Sequence, residues 1–172
     1  MRPSTDPVLA WFNTADDAAA HAALREVCAS AEWCAAVLAR RPYPDPETLL
    51  DAADAATAGL GAAELAAAAA GHPPLGSPTP GDAVSAREQR GMADASEQVR
   101  AETAALDRAY RQRFGHVFLI CATGLTGEQL RDAVRARLGN TPERESEIVR
   151  AELGRINRVR LTRLITEGAL RP

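Results

Sequence analysis

Only one run in this chain reads like a β-strand, "HVFLICATG" at residues 116–124, and no second run is available to pair with it. A lone strand cannot make a sheet, because its backbone N–H and C=O groups need partners. The run is therefore expected as a buried extended connector. Everything else in the fold has to be helical.

The rest of the sequence obliges, alternating helix and turn. Thr14 is an expected N-cap, with Asp16 and Asp17 in the first turn of a helix reaching about Ser30. A second helix runs from about Ala31 to Arg40. The prolines of "RPYPDP" stop it, since they lack an N–H and restrict the residue before them. Pro46 can open a third helix as its first residue. Gly59 and Gly61 break that one before a short fourth, "AAELAAAAA". Residues 71–84, "GHPPLGSPTPGDAV", form a Pro/Gly-rich loop. A long helical region follows from Ser85 to about Phe114, with Gly91-Met92-Ala93 as the place for a kink, and Gly115 ends it. Thr126 with Gln129 fits a capping box for a helix to Leu138. Thr141-Pro142-Glu143 starts the last and longest helix, to about Thr166.

The expectation is an all-α, single-domain bundle of about seven or eight helices spanning 1–172, with residues 1–10 flexible. A chain of 172 residues is long enough to bury a substantial core. No run of about 18 apolar residues offers a membrane span. The first residues lack the apolar core of a secretory leader, and the last four carry no retention or lipidation signal.

Composition narrows the function classes. The three cysteines, Cys28, Cys34 and Cys121, include no C-x-x-C pair, which argues against a disulfide framework and for a reducing cytoplasm. No His or Cys pair stands at zinc spacing, so no metal site is expected. All twenty basic residues are arginine and the net charge is −3, without the concentrated basic face a nucleic-acid binder needs.

Three places could carry chemistry. His72 sits in a loop, where a lone histidine is more often solvated than catalytic, but it follows a helix end and precedes two prolines, which would present a titratable ring rigidly. In "SAREQ", Ser85 and Glu88 have the spacing of a capping box. Ser85, Glu88 and Gln89 also share one helical face, a polar cluster suited to a small anion. In the final helix, Val149, Leu153, Ile156, Arg160 and Leu164 form a core-facing stripe that Arg160 interrupts. A guanidinium there must snorkel outward or meet an anion, for which it would be a bidentate clamp. His21 and His116 read as surface residues.

In order along the chain, "GHPPLG", "SAREQ", "YRQRFGHVFLICATG" and "INRVRLTRL" resemble the signature segments of the OHCU decarboxylase family. "CASAEWCAAVLARRPYPDPETLL" resembles the family's Trp helix and Arg-Pro-aromatic turn. The resemblance runs from about Trp11 to Leu164, and its strength lies in the order of the segments. It implies an all-helical, cofactor-free carboxy-lyase, cytoplasmic and homodimeric. Its substrate would be the anionic 2-oxo-4-hydroxy-4-carboxy-5-ureidoimidazoline of uric acid degradation, and its products (S)-allantoin and carbon dioxide.

The same resemblance implies roles residue by residue. His72 matches the proton-donor histidine and Pro73 the proline after it. Glu88 joins His72 in catalysis, while Ser85 and Gln89 complete the substrate-binding S-x-x-E-Q. Phe118, Ile120, Cys121, Ala122, Thr123 and Gly124 match the extended segment that supplies backbone and apolar contacts, and Arg160 matches the arginine of the last helix. Two departures stand out: the residue before "RAY", Asn in the family's pattern, is Asp107 here, and the loop between His72 and Ser85 is short. The alternatives are a helical enzyme acting on another ureido or imidazolone acid, and a non-catalytic helical interaction module.

Overall fold

The computed structural model describes residues 6–168. Among them are ten α-helices and no strand: α1 Pro7–Thr14, α2 Asp17–Val27, α3 Ala31–Leu38, α4 Pro46–Ala58, α5 Ala62–Ala70, α6 Ala83–Glu88, α7 Arg90–Ala93, α8 Glu97–Phe114, α9 Gly127–Arg137 and α10 Pro142–Glu167. The all-α class is the one expected. The helices exceed the expected seven or eight for two local reasons.

The first is at the start of the chain, where the expectation of flexibility fails over residues 7–10. The charge and proline that suggested a loose tip are helix-start signals. The Asp6 carboxylate accepts from the Val8 and Leu9 N–H groups at 2.9 Å each, and Pro7 takes a position that needs no donor. Val8, Leu9 and Phe12 are buried. Residues 1–5 lie outside the described part. Thr14 consequently ends α1, its hydroxyl donating to Ala10 O, and Asp16 caps α2 through Ala19 N–H at 2.8 Å.

The second is the expected long helix over 85–114, which is three helices. It begins earlier, with Asp82 rather than Ser85 as the N-cap, so Ser85 and Glu88 form no capping box. It breaks around Gln89 and again before Ser96, which caps α8. Gly91 has a packing role there: a Cβ on it would sit 2.0 Å from Leu125 O. Gly127 is its counterpart, with a Cβ position 2.4 Å from the Ala95 methyl group and 3.0 Å from Gly91 O. The two glycines let α7 and the start of α9 meet backbone against backbone.

The other punctuation follows the sequence. Asp45 and Pro46 start α4, Gly115 at φ 76° ends α8, and Thr126 with Gln129 makes the capping box of α9.

The described chain divides into two compact units. One comprises the residues up to Ala68 together with those from Leu153 onward. Its core is built around Trp33, whose indole N–H donates to Ala53 O at 3.1 Å and Thr57 Oγ1 at 3.0 Å. Cys28 and Cys34 are free thiols there; burial, helped by the neighbouring Cys28, pushes Cys34 up to about 11. The other unit is Ala69–Glu152, with a core of Leu75, Met92, Tyr110, Phe118, Ala122, Leu130 and Val134.

Candidate active site

The loop after α5 is held from two sides. The His72 N–H donates to Ala69 O at 3.1 Å, closing the helix end, and Leu75 is sunk in the core. The Gln89 side chain then grips the loop with both ends of its amide. Its Oε1 accepts from Gly76 N–H at 2.8 Å and its Nε2 donates to Pro74 O at 3.2 Å. Ser85 does the same one turn earlier, accepting from Thr79 N–H at 3.0 Å and donating to Asp82 O at 3.2 Å. Both side chains are buried, so these bonds form away from competing water.

The clasp has a consequence for the two residues beside it. His72 lies two residues before Pro74, and Glu88 immediately precedes Gln89. The Gln89–Pro74 bond therefore brings the His72 end of the loop alongside the C-terminal end of α6. His72, Pro73 and Glu88 are half-buried, an environment that leaves a titratable group reachable yet partly shielded. A histidine and a carboxylate so placed suit proton transfer and its orientation.

The extended segment is held differently. Phe118 is buried in the core, edge-on to Tyr110 with ring centroids 5.0 Å apart, and the Arg137 guanidinium lies over the Phe118 ring, 4.2 Å from its centroid. Arg137 Nη1 donates to Leu119 O at 2.7 Å. The Cys121 N–H donates to Glu152 Oε2 at 2.9 Å. Ala122 is buried and its carbonyl accepts from Leu125 N–H, which turns the chain at exposed Thr123 and Gly124 (φ 81°) towards α9. His116, expected at the surface, is half-buried and stands edge-on to Tyr110. His21 is half-buried too.

Behind the segment sits a buried ion pair. Glu145 is fully enclosed; its Oε1 accepts from Arg137 Nε at 2.8 Å, Arg137 Nη2 at 2.5 Å and the Tyr110 hydroxyl at 2.5 Å. Asn140 Nδ2 donates to the other oxygen at 2.8 Å. Burial alone would raise the Glu145 carboxyl, but these donors outweigh it and hold the group below its ordinary range. Tyr110 is pushed up by its own burial and by the carboxylate it serves.

Asp107 is another buried acid of this unit, and it is less well served than Glu145. Its Oδ2 meets Arg111 at 2.7 Å while Oδ1 has no hydrogen-bond partner. Burial raises its pKa against the pull of Arg111.

The expected site residues thus fall into two groups. His72, Pro73, Ser85, Glu88 and Gln89 gather around one clasped loop, and Phe118 and Ile120 to Gly124 form one pinned segment of the same unit. Arg160 belongs to the other unit. There its Nη1 donates to the carbonyl of Val27, the last residue of α2, at 3.3 Å. A cation at a helix C-terminus is favourably placed. In the same unit a cleft of about 220 Å³ opens beside α3 and α4, lined by Glu32, Arg40 and small residues, and no expected site residue lines it.

Sequence reasoning missed Arg137, Glu145 and Glu152. A signal existed for one of them: Leu130, Val134 and Arg137 are spaced by four and three, so Arg137 interrupts an apolar stripe just as Arg160 does.

The chain is similar to known proteins of one family. The family model described as OHCU decarboxylase matches residues 13–162. The uric acid degradation bifunctional protein TTL of Arabidopsis thaliana is 25% identical over 150 residues, covering 83% of this chain and 46% of that protein. The uric acid degradation bifunctional protein PucL of Bacillus subtilis (strain 168) is 35% identical over 98 residues, covering 56% of this chain and 20% of that protein. The chain spans less than half the length of either relative. Among solved structures, OHCU decarboxylase crystallised in the presence of (S)-allantoin matches with a TM-score of 0.73 at 24% identity, over 83% of this chain and 96% of that one. A crystal structure of (S)-allantoin synthase matches with a TM-score of 0.69 at 18% identity, over 90% of this chain and 52% of that one. At these identities the structural likeness speaks for the fold.

Proposed function

Because the chain belongs to the OHCU decarboxylase family, we propose that it is a carboxy-lyase converting 2-oxo-4-hydroxy-4-carboxy-5-ureidoimidazoline to (S)-allantoin and carbon dioxide. The observation that carries the reading is the clasp: a buried glutamine ties the loop bearing His72 to the helix end bearing Glu88.

The chemistry asks little beyond positioning. Breaking the bond to the carboxylate leaves its electron pair on ring carbon, where the neighbouring imine or carbonyl accepts it. A proton then replaces the departed carbon dioxide, and delivery to one face gives one enantiomer. His72 assists cleavage and directs that proton, with Glu88 orienting the imidazole or the substrate hydroxyl. Ser85 and Gln89 act by holding the loop. Pro73 and Ile120 to Gly124 supply apolar surface and pre-placed backbone groups for the substrate and the developing anion, and Phe118, sunk in the core, anchors the start of that segment. Holding a substrate anion remains a separate assignment for Arg160, to be read from its own Arg160→Gln variant. A cytoplasmic homodimer completes the reading; among the described residues, no helix is long and apolar enough to cross a membrane.

The test generates the substrate in situ from urate with urate oxidase and the upstream hydrolase, and follows allantoin by circular dichroism. The substrate also decays unaided to racemic product, so the expected result is a fast signal of one hand. Only a slow, racemic background would end the decarboxylase reading.

A further inference from the structure

We infer that Arg137 is a positioning residue for the proposed reaction, setting the Ile120 peptide groups from behind through Glu145, an inference that rests on the reading of 118–124 as substrate-facing. Two backbone atoms that flank Ile120 are pinned. Leu119 O is held by Arg137 Nη1 at 2.7 Å, and Cys121 N–H by Glu152 Oε2 at 2.9 Å. Both peptides that Ile120 shares are trans, and in a planar trans peptide the C=O and N–H point in opposite directions. Pinning Leu119 O therefore aims the Ile120 N–H away from Arg137. Pinning the Cys121 N–H aims the Ile120 carbonyl away from Glu152. The segment has no ladder to fix its rotation, so these two contacts define which way a donor and an acceptor face.

Arg137 itself cannot drift. Its Nε and Nη2 both meet Glu145 Oε1, and the guanidinium plane lies over the Phe118 ring. Glu145 is held in turn by Tyr110 and Asn140. A planar fork can satisfy Glu145 and Leu119 together; an ammonium on a flexible stem has no such fixed geometry.

The test pairs Arg137→Lys with Glu152→Leu, using Glu152→Gln as the conservative rescue because it retains an acceptor for the Cys121 N–H. Amide exchange of residues 118–122 and steady-state kinetics are measured on each, with thermal melts as the control for folding. Arg137→Lys is expected to keep the melt cooperative and to speed exchange at Cys121 by about tenfold, leaving the 71–82 loop unchanged. It is expected to lower kcat/KM by about 100-fold, mostly through KM. Glu152→Leu should repeat this pattern and Glu152→Gln should largely escape it. Unchanged exchange at 118–122 in Arg137→Lys would overturn the inference. So would faster exchange spread evenly over the unit with KM unmoved, which is what a merely structural pair predicts. Should the wild type give only the slow racemic background, the functional reading fails on its own, and unchanged local exchange still decides against the pin.

Discussion

Two stretches of irregular backbone lie in the second unit, and they are held by opposite means. The loop over 71–82 is held by neutral side chains, Gln89 and Ser85, each bonding the backbone as both donor and acceptor. The stretch over 116–125 is held by charged ones, Arg137 and Glu152, with Glu145 buried behind. Composition explains the contrast. Four prolines, Pro73, Pro74, Pro78 and Pro80, stiffen the loop, lack donors and leave less entropy for side chains to remove. The extended stretch contains no proline, buries Phe118, Leu119 and Ala122, and must satisfy a full set of backbone groups without a neighbouring strand. Charge-assisted hydrogen bonds are the stronger answer to that heavier demand. Rigidity comes from the chain itself in one case and from a desolvated ion pair in the other.

The comparison is tested most severely at Glu145. Replacing it by Leu strands the Arg137 guanidinium in a buried position and leaves Tyr110 and Asn140 without their acceptor. The expected loss is about 3–5 kcal/mol, read from the urea midpoint. Gln89→Leu removes two neutral bonds from a loop whose Gly76 is exposed and can turn to water, so it should cost only about 1–2 kcal/mol. Equal losses for the two variants would erase the energetic distinction between the stretches.

The smallest effect sharpens the picture through pH. Glu145 has a folded pKa below the ordinary 4.5, so its stabilisation is present above that pH and is lost as the pH falls through the folded value. Asp107 runs the other way. Its folded pKa is raised above 3.8, so the fold loses stability as the pH climbs from 3.8 through that folded value. Asp107→Asn removes the desolvated charge. It should match wild type below pH 3.8 and become more stable at neutral pH by at most about 1 kcal/mol, seen in urea melts at several pH values. A gap that stayed constant with pH would show that the Asp107 charge is not what the fold is paying to bury.

Local signals were legible wherever one residue type answers one backbone need. Pro46, Gly115 and the Thr126–Gln129 box all sit where the sequence puts them. The unpaired run at 116–124 likewise fixes the fold class by itself. Reading failed where two answers were equally good locally. Asp82 and Ser85 are both able caps three residues apart, and the choice falls to Asp82 because Ser85 is buried against Thr79. At the chain start, Asp6-Pro7 reads as loose tip or as helix opening, and the burial of Val8, Leu9 and Phe12 decides. The site divides the same way. The loop, α6 and the extended segment were named from the sequence, but the Arg137–Glu145 pair joins the end of one helix to the first turn of the next. No periodicity within either helix points to that partner.

The central claim is that the Gln89 clasp presents His72 as the group that delivers the proton. The direct measurement compares wild type with His72→Gln in the coupled urate assay, following the hand and rate of allantoin by circular dichroism, with a thermal melt of each. The account predicts matching melts, a fast one-handed signal from wild type, and only slow racemic product from the variant. A folded His72→Gln protein that still makes one-handed allantoin at the wild-type rate would contradict it.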